Sequence, residues 1–253
     1  MPTLRFLLGF LLLWGVLQAT AALDGSGRLG LVALAAVLAT AVGVEFALDR
    51  TKPSQALVEV GLGRPRRRAL LVAVLVSALI LGVYPAYALV TGTAVHLQAD
   101  WIWLLVGVFA LNGVAEEIVW RGYAFRRLRE QRSFWPAAAW SMPLIAATHI
   151  PIVVNLGVTI GVGAMIVAAV TSLPLAYLYE VGGRTIWAPA LVHTAIDGFK
   201  LVVIPAGTAA TLSLWLIAVS IVVPLLALTV PRRWFGAVGA GIRPPTVQIS
   251  SSS

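Results

Sequence analysis

Glu116 and Glu117 are adjacent carboxylates inside an apolar stretch that begins at Trp101, and Arg121 follows four residues later. Carboxylates serve as general bases and acids toward water. An ionised carboxylate in the middle of a bilayer costs roughly 2.5–3.5 kcal/mol on insertion scales, so a chain that needed only an apolar helix would not carry two side by side. Glu117 and Arg121 share a helix face and are expected to pair. Glu116 lies about 100° around that helix and is left as the free acid, placed to act as a base. Two of the three histidines, His149 and His193, also fall in apolar runs, and Asp197 stands four residues after His193, on its face. Polar groups in lipid turn inward, because each alone would be unsatisfied. Glu116, Glu117, His149, His193 and Asp197 are therefore expected to form one cluster able to hold a water, with or without a metal. The plainer reading is a structural Glu–Arg lock and two core histidines, each satisfied privately.

The elements that would position this cluster are membrane helices. Of the 253 residues 60% are hydrophobic and only 11% are charged, with a mean hydropathy of +0.94, whereas a soluble domain carries about a quarter charged residues. Apolar runs near 20 residues recur throughout, so the expected fold is an all-α polytopic bundle of about eight transmembrane helices in the cell membrane. The spans are expected at 4–23, 29–48, 69–90, 101–120, 134–154, 156–179, 186–204 and 208–229. A kink is expected at Tyr84–Pro85, and breaks at Pro143 and Pro151. Arg5 and the small residues near Ala19 would also suit a cleaved signal peptide, but the apolar run exceeds a signal core, and an uncleaved first helix is favoured. Residues 1–253 read as one membrane domain, with a polar, flexible cytoplasmic tail at 231–253.

The net charge of +8 does not call for nucleic acid in so apolar a chain, because the positive-inside rule accounts for it. With eight spans and both termini cytoplasmic, every Lys and Arg except Arg28 and Lys200 falls on the inner side. The basic segments 50–68 and 121–132 are expected to meet anionic lipids. The absence of cysteine removes disulfides, thiolate nucleophiles and Cys-ligated metals.

Glu116-Glu117-Ile118-Val119-Trp120-Arg121 resembles the EExxxR motif of the CPBP intramembrane protease family, which takes in type II CAAX prenyl endopeptidases and bacteriocin-associated proteins. His149 resembles that family's second-motif histidine, and His193 with Asp197 its third motif, HxxxN or HxxxD. The resemblance covers 101–200, a family-like catalytic core. It departs at Ile145, where the family has an aromatic residue, and at Asp197, where many members have Asn. An Asn can donate to an oxyanion, whereas an ionised Asp cannot.

The resemblance implies hydrolysis of a peptide bond near the cytoplasmic membrane face by activated water, without an acyl-enzyme. In that reading Glu116 is the base and His149 helps to hold the water. Glu117 pairs with the supporting Arg121, while His193 and Asp197 engage the carbonyl oxygen. The substrate would be a CAAX-type or juxtamembrane peptide or protein, with or without a lipid modification. Zinc at Glu116, His149 and His193 is compatible with ligand type, but the HExxH spacing is absent. The competing class is a non-proteolytic protein that uses the cluster as a proton or cation relay, or a scaffold or immunity protein. A relay would more often show paired repeats with broken helices, and none is evident.

Overall fold

The computed structural model describes residues 2–236. It is an all-helical bundle in which seven helices are long and apolar enough to cross a membrane: 3–23, 30–49, 67–91, 101–130, 134–155, 160–181 and 209–229. These comprise α1 (Pro2–Leu23), α2 (Gly30–Asp49), α4 (Arg67–Leu81) with α5 (Val83–Thr91), α6 (Trp101–Val108) leading through wide turns into α7 (Arg126–Glu130), α8 (Phe134–Ala147) with α9 (Ile150–Leu156), α10 (Val158–Val181) and α12 (Ala209–Leu225). A short interfacial helix, α3 (Pro53–Leu57), lies between α2 and α4. Leucines and valines cover the outer faces, among them Leu12, Val32, Leu75, Val154 and Leu214, as a lipid-facing surface requires.

The eighth span expected at 186–204 is not a helix of spanning length. It is the ten-residue α11 (Trp187–Ile196), a 3₁₀ turn at Asp197–Leu201, and β2 (Val202–Val203) paired antiparallel with β1 (His96–Leu97). At its start the Ile186 N–H bonds the Gly61 carbonyl, so the broken segment still joins the two ends of the bundle. Only a segment buried among other helices can afford this irregular backbone at membrane depth, and Ala188, Ala190 and Val192 are fully buried.

Prolines set the other breaks. The kink expected at Tyr84–Pro85 falls at Gly82, where α4 passes into α5, because the Pro85 ring excludes the carbonyl four residues earlier, on Leu81. In the same way Pro151 ends α8 at Ala147 and leaves His149 as the residue that caps α9. Pro143 stays inside α8 without ending it.

The 101–130 helix is the axis of the fold. Two-thirds (67%) of its apolar window is buried, against 22–39% for the other six. Glycine lets the α1–α2 corner press onto it: a Cβ on Gly30 would stand 2.0 Å from the Gly107 carbonyl oxygen. Charge sorts to one end, where Arg126 and Arg127 pair with Glu45, and Arg129 with Glu180 at 3.1 Å. Arg28 is at the opposite end, bound to Asp100 at 2.8 Å. The start of α1 and the segment after α12 both belong to the basic end: Arg5 reaches the Leu48 carbonyl, and the Tyr177 hydroxyl donates to the Val230 carbonyl. The tail expected to be flexible from Pro231 is docked as far as Phe235, which is buried. Arg243 and the rest of that tail, 237–253, lie outside the described residues.

Candidate active site

Both glutamates stand on the axial helix where its turns widen. Phe109–Ala115 and Ile118–Phe125 take i→i+5 hydrogen bonding, and the Glu116 N–H bonds the Leu111 carbonyl. Such wide turns are rare and concentrate at functional sites. Here they put both carboxylates within reach of one histidine.

Glu117 is completely buried. Its Oε1 accepts from the Arg121 guanidinium at 2.7 Å and lies 2.7 Å from His193 Nδ1. Its Oε2 has no partner among the described residues. The expected Glu117–Arg121 pair is thus present, and Arg121 is steadied further by the Ser172 carbonyl at 3.4 Å. The pair also fixes His193. With Nδ1 directed at a carboxylate, the ring turns Nε2 outward, 3.7 Å from Glu116 Oε2 and 3.6 Å from Asp197 Oδ2.

Glu116 is not the unattached acid that the helical wheel implied. Its Oε1 accepts from Asn112 Nδ2 at 2.8 Å and its Oε2 from Trp120 Nε1 at 3.3 Å. Asn112 in turn accepts from the Lys200 ammonium at 3.0 Å. Because an ammonium only donates, the amide must present its oxygen to Lys200 and its NH2 group to Glu116. Asn112 and Lys200 are site residues that the motif reading passed over. Both were visible in the sequence, one as a polar residue a turn before Glu116 and the other as a lysine inside an apolar span.

His149 stands apart from this core. Its Nδ1 is 2.8 Å from the Ile145 carbonyl oxygen, which leaves Nε2 as the nitrogen for other use. It lies within electrostatic reach of Asp197 without being one of its direct partners. The structure therefore bonds His193 to Glu117, brings Glu116 and Asp197 to within 3.7 Å of its other nitrogen, and keeps His149 at longer range. The reason is local: the break before Pro151 turns the His149 backbone out of α8.

Ligand type leaves zinc at Glu116, His149 and His193 open. Among the described residues no three His, Cys, Asp or Glu side chains form a group that could hold a metal ion.

Glu116 precedes Arg126 by ten residues, roughly 15 Å along a helix at 1.5 Å per residue, so the cluster stands well inward of the arginines at the basic end.

Residues 98–199 match the family model for type II CAAX prenyl endopeptidase, Rce1-like. The match takes in all three motifs, so over those residues the chain is similar to that family, which supports the CPBP resemblance. The family is one of membrane-embedded proteases, and this chain is a multi-pass integral membrane protein. Neither the comparison with curated proteins nor that with solved structures gives a match.

Proposed function

We propose that the chain is an intramembrane endopeptidase in which Glu116 activates a water molecule for attack on a peptide carbonyl. The observation that carries this is the gap bounded by Glu116 Oε2, His193 Nε2 and Asp197 Oδ2. Separations of 3.6 and 3.7 Å are too long for direct hydrogen bonds, and at such distances an intervening water is the natural bridge.

Glu116, held at both oxygens by Asn112 and Trp120, takes a proton from that water as its oxygen bonds to the carbonyl carbon. His193, doubly protonated and anchored through Nδ1 on Glu117, donates from Nε2 to the oxyanion that forms. The proton on Glu116 then passes to the amide nitrogen as the C–N bond breaks, giving a carboxylic acid and an amine. Asp197 closes the third side of the gap and accepts a hydrogen bond from the water. His149, with Nε2 unspent, lines its approach. A positioned base of this kind contributes about 10²–10⁴-fold.

The substrate class proposed is a C-terminal CAAX-type peptide, or a juxtamembrane peptide, that enters the apolar interior. A lipid modification on it would lower the cost of reaching the cluster, by about 0.8 kcal/mol per buried methylene. The test incubates the purified, reconstituted protein with prenylated and unmodified CAAX-type peptides and identifies products by mass spectrometry, with Glu116→Gln in parallel. Cleavage by wild type that is lost in the variant is expected. Equal turnover by both proteins would end this assignment. Ion flux across proteoliposomes without any cleavage would favour the relay instead.

A further inference from the structure

A second polar cavity lies at the basic end, well away from the glutamates. Its walls come from three segments distant in sequence: Glu59 to Arg64, the α7 residues Arg126, Arg129 and Glu130, and the α10–α11 connection at Tyr179 to Thr185. It encloses about 480 Å³. Four arginines line it (Arg64, Arg126, Arg129 and Arg184) against two glutamates (Glu59 and Glu130), so the lining carries a net positive charge.

The walls are built rather than incidental. The wide turn at Val58–Leu62 is driven against its neighbours through glycines. A Cβ on Gly122 would meet the Val60 carbonyl oxygen at 2.2 Å, and one on Gly61, at φ +92°, would meet the Ile186 side chain at 2.7 Å. Trp187 Nε1 donates to the Gly63 carbonyl at 2.9 Å and pins the rim. On the facing rim, Gly183 (φ +87°) and Arg184 (φ +59°) follow one another in the left-handed region. That conformation is unfavourable for an arginine, and backbone strain of this sort gathers at ligand-binding sites.

Two of the four cations have charge to spare. Arg126 is bound to Glu45, Glu59 and Glu130, and Arg129 to Glu180. Arg64 is exposed and has no ion-pair or hydrogen-bond partner among the described residues. Arg184 has a single carboxylate at 3.8 Å, outside hydrogen-bond range. Tyr179, 1% exposed, lines the cavity with a hydroxyl that has no hydrogen-bond partner among the described residues.

From this we infer that the cavity is an anion site that takes one phosphate group, held between the Arg64 and Arg184 guanidinium groups. Guanidinium matches phosphate geometry bidentately. The position in the bundle, at the level where the arginine-rich end meets lipid headgroups, makes the headgroup phosphate of an anionic phospholipid the first source and free phosphate the second. The inference does not depend on the peptidase reading, since neither arginine approaches the glutamate cluster.

The experiment uses full-length protein in nanodiscs of phosphatidylcholine with or without phosphatidylglycerol, and counts retained lipid by native mass spectrometry. A second arm measures thermal stabilisation by millimolar inorganic phosphate in phosphatidylcholine alone. The variant Arg64→Gln/Arg184→Gln removes the two available cations. Lys52→Gln/Arg67→Gln removes two exposed charges at the same end but outside the cavity. With each charge-assisted guanidinium–phosphate hydrogen bond giving at least about tenfold, the cavity variant should retain phosphatidylglycerol roughly 100-fold less well, while the control variant, which loses only diffuse attraction, stays far closer to wild type. Retention of phosphatidylglycerol that the cavity variant loses assigns the site to lipid. Stabilisation by inorganic phosphate that the variant loses, with no lipid preference, assigns it to the free anion. Equal losses in the cavity and control variants would reduce the effect to diffuse surface attraction and overturn the inference, as would no response in either arm.

Discussion

The axial helix carries two charged clusters about three turns apart, and they are organised in opposite ways. At the basic end Arg126 and Arg127 meet Glu45, Asp49, Glu59 and Glu130 in a closed network of ion pairs. Ten residues earlier Glu116, His193 and Asp197 approach one another without touching, Glu117 keeps one oxygen without a partner among the described residues, and an asparagine backed by a lysine holds Glu116 from the side. The first cluster pairs every carboxylate with an arginine, all but Glu130 across helices, and so it locks helices together. The second leaves capacity unspent in a low-dielectric setting, where an unmet polar group is costly. A fold retains such a deficit only where the surrounding structure enforces it, and a third party, water or substrate, completes the set.

This contrast is broken or sharpened by substitution. The largest effect is expected at the glutamate cluster. Glu116→Gln keeps the shape and the hydrogen bond from Asn112 but removes the base, and should lower peptide turnover about 10²–10⁴-fold with the melting temperature unchanged. If instead the melting temperature falls while turnover per folded molecule holds, the glutamate cluster is a lock like the other.

Glu45→Gln should do the reverse. Glu45 is 1% exposed and serves two arginines. Removing its charge strands partners that are themselves partly solvated, at a cost of about 2–4 kcal/mol. Thermal unfolding in detergent should fall by on the order of 5–10 °C, while turnover per folded molecule holds. A loss of turnover without a loss of stability would erase the distinction between the two clusters.

A smaller effect is expected from the props of Glu116. Asn112→Leu removes one charge-assisted hydrogen bond, and turnover should fall roughly tenfold, a transition-state loss of about 1.4 kcal/mol. Lys200→Met should give a similar loss, and the double variant should lose little more than either single one, because the two residues act in series. Additive losses would show that they act separately.

The smallest lies in the turn between α1 and α2, at the end opposite the arginine network. The Ser26 hydroxyl holds the Asp24 carboxyl at about 2, helped by the backbone N–H groups of Leu29 and Ser26. A depressed folded-state value means stabilisation that is complete above about pH 4 and is lost as pH falls toward 2. At so solvated a group it amounts to well under 1 kcal/mol. Asp24→Asn should lower stability slightly at neutral pH, where the stabilisation is complete, and converge with wild type near pH 2, which flattens the acid limb. An equal loss at pH 2 and at neutral pH would mean that Asp24 is held by shape rather than charge.

The amino-acid sequence determined the class of this protein by itself. Composition and recurrent apolar runs of bilayer length dictate a helical membrane bundle, and the Arg bias distinguishes one end from the other. The pairing of Glu117 with Arg121 follows from their spacing of four on one helix. These are local properties, fixed by 1.5 Å per residue and by what lipid tolerates. The tertiary structure decided everything that depends on two segments meeting. It broke the 186–204 segment into a short helix and a 3₁₀ turn, which only its burial between other helices permits. It widened the turns around Glu116 so that both glutamates face His193, and it brought Lys200 to Asn112 from the far side of the bundle. It also kept His149 out of the central group, because the proline after it bends the backbone there. Spacing along one helix reports which residues share a face, but which face meets which is set by packing, and packing alone determined how Glu116 is held.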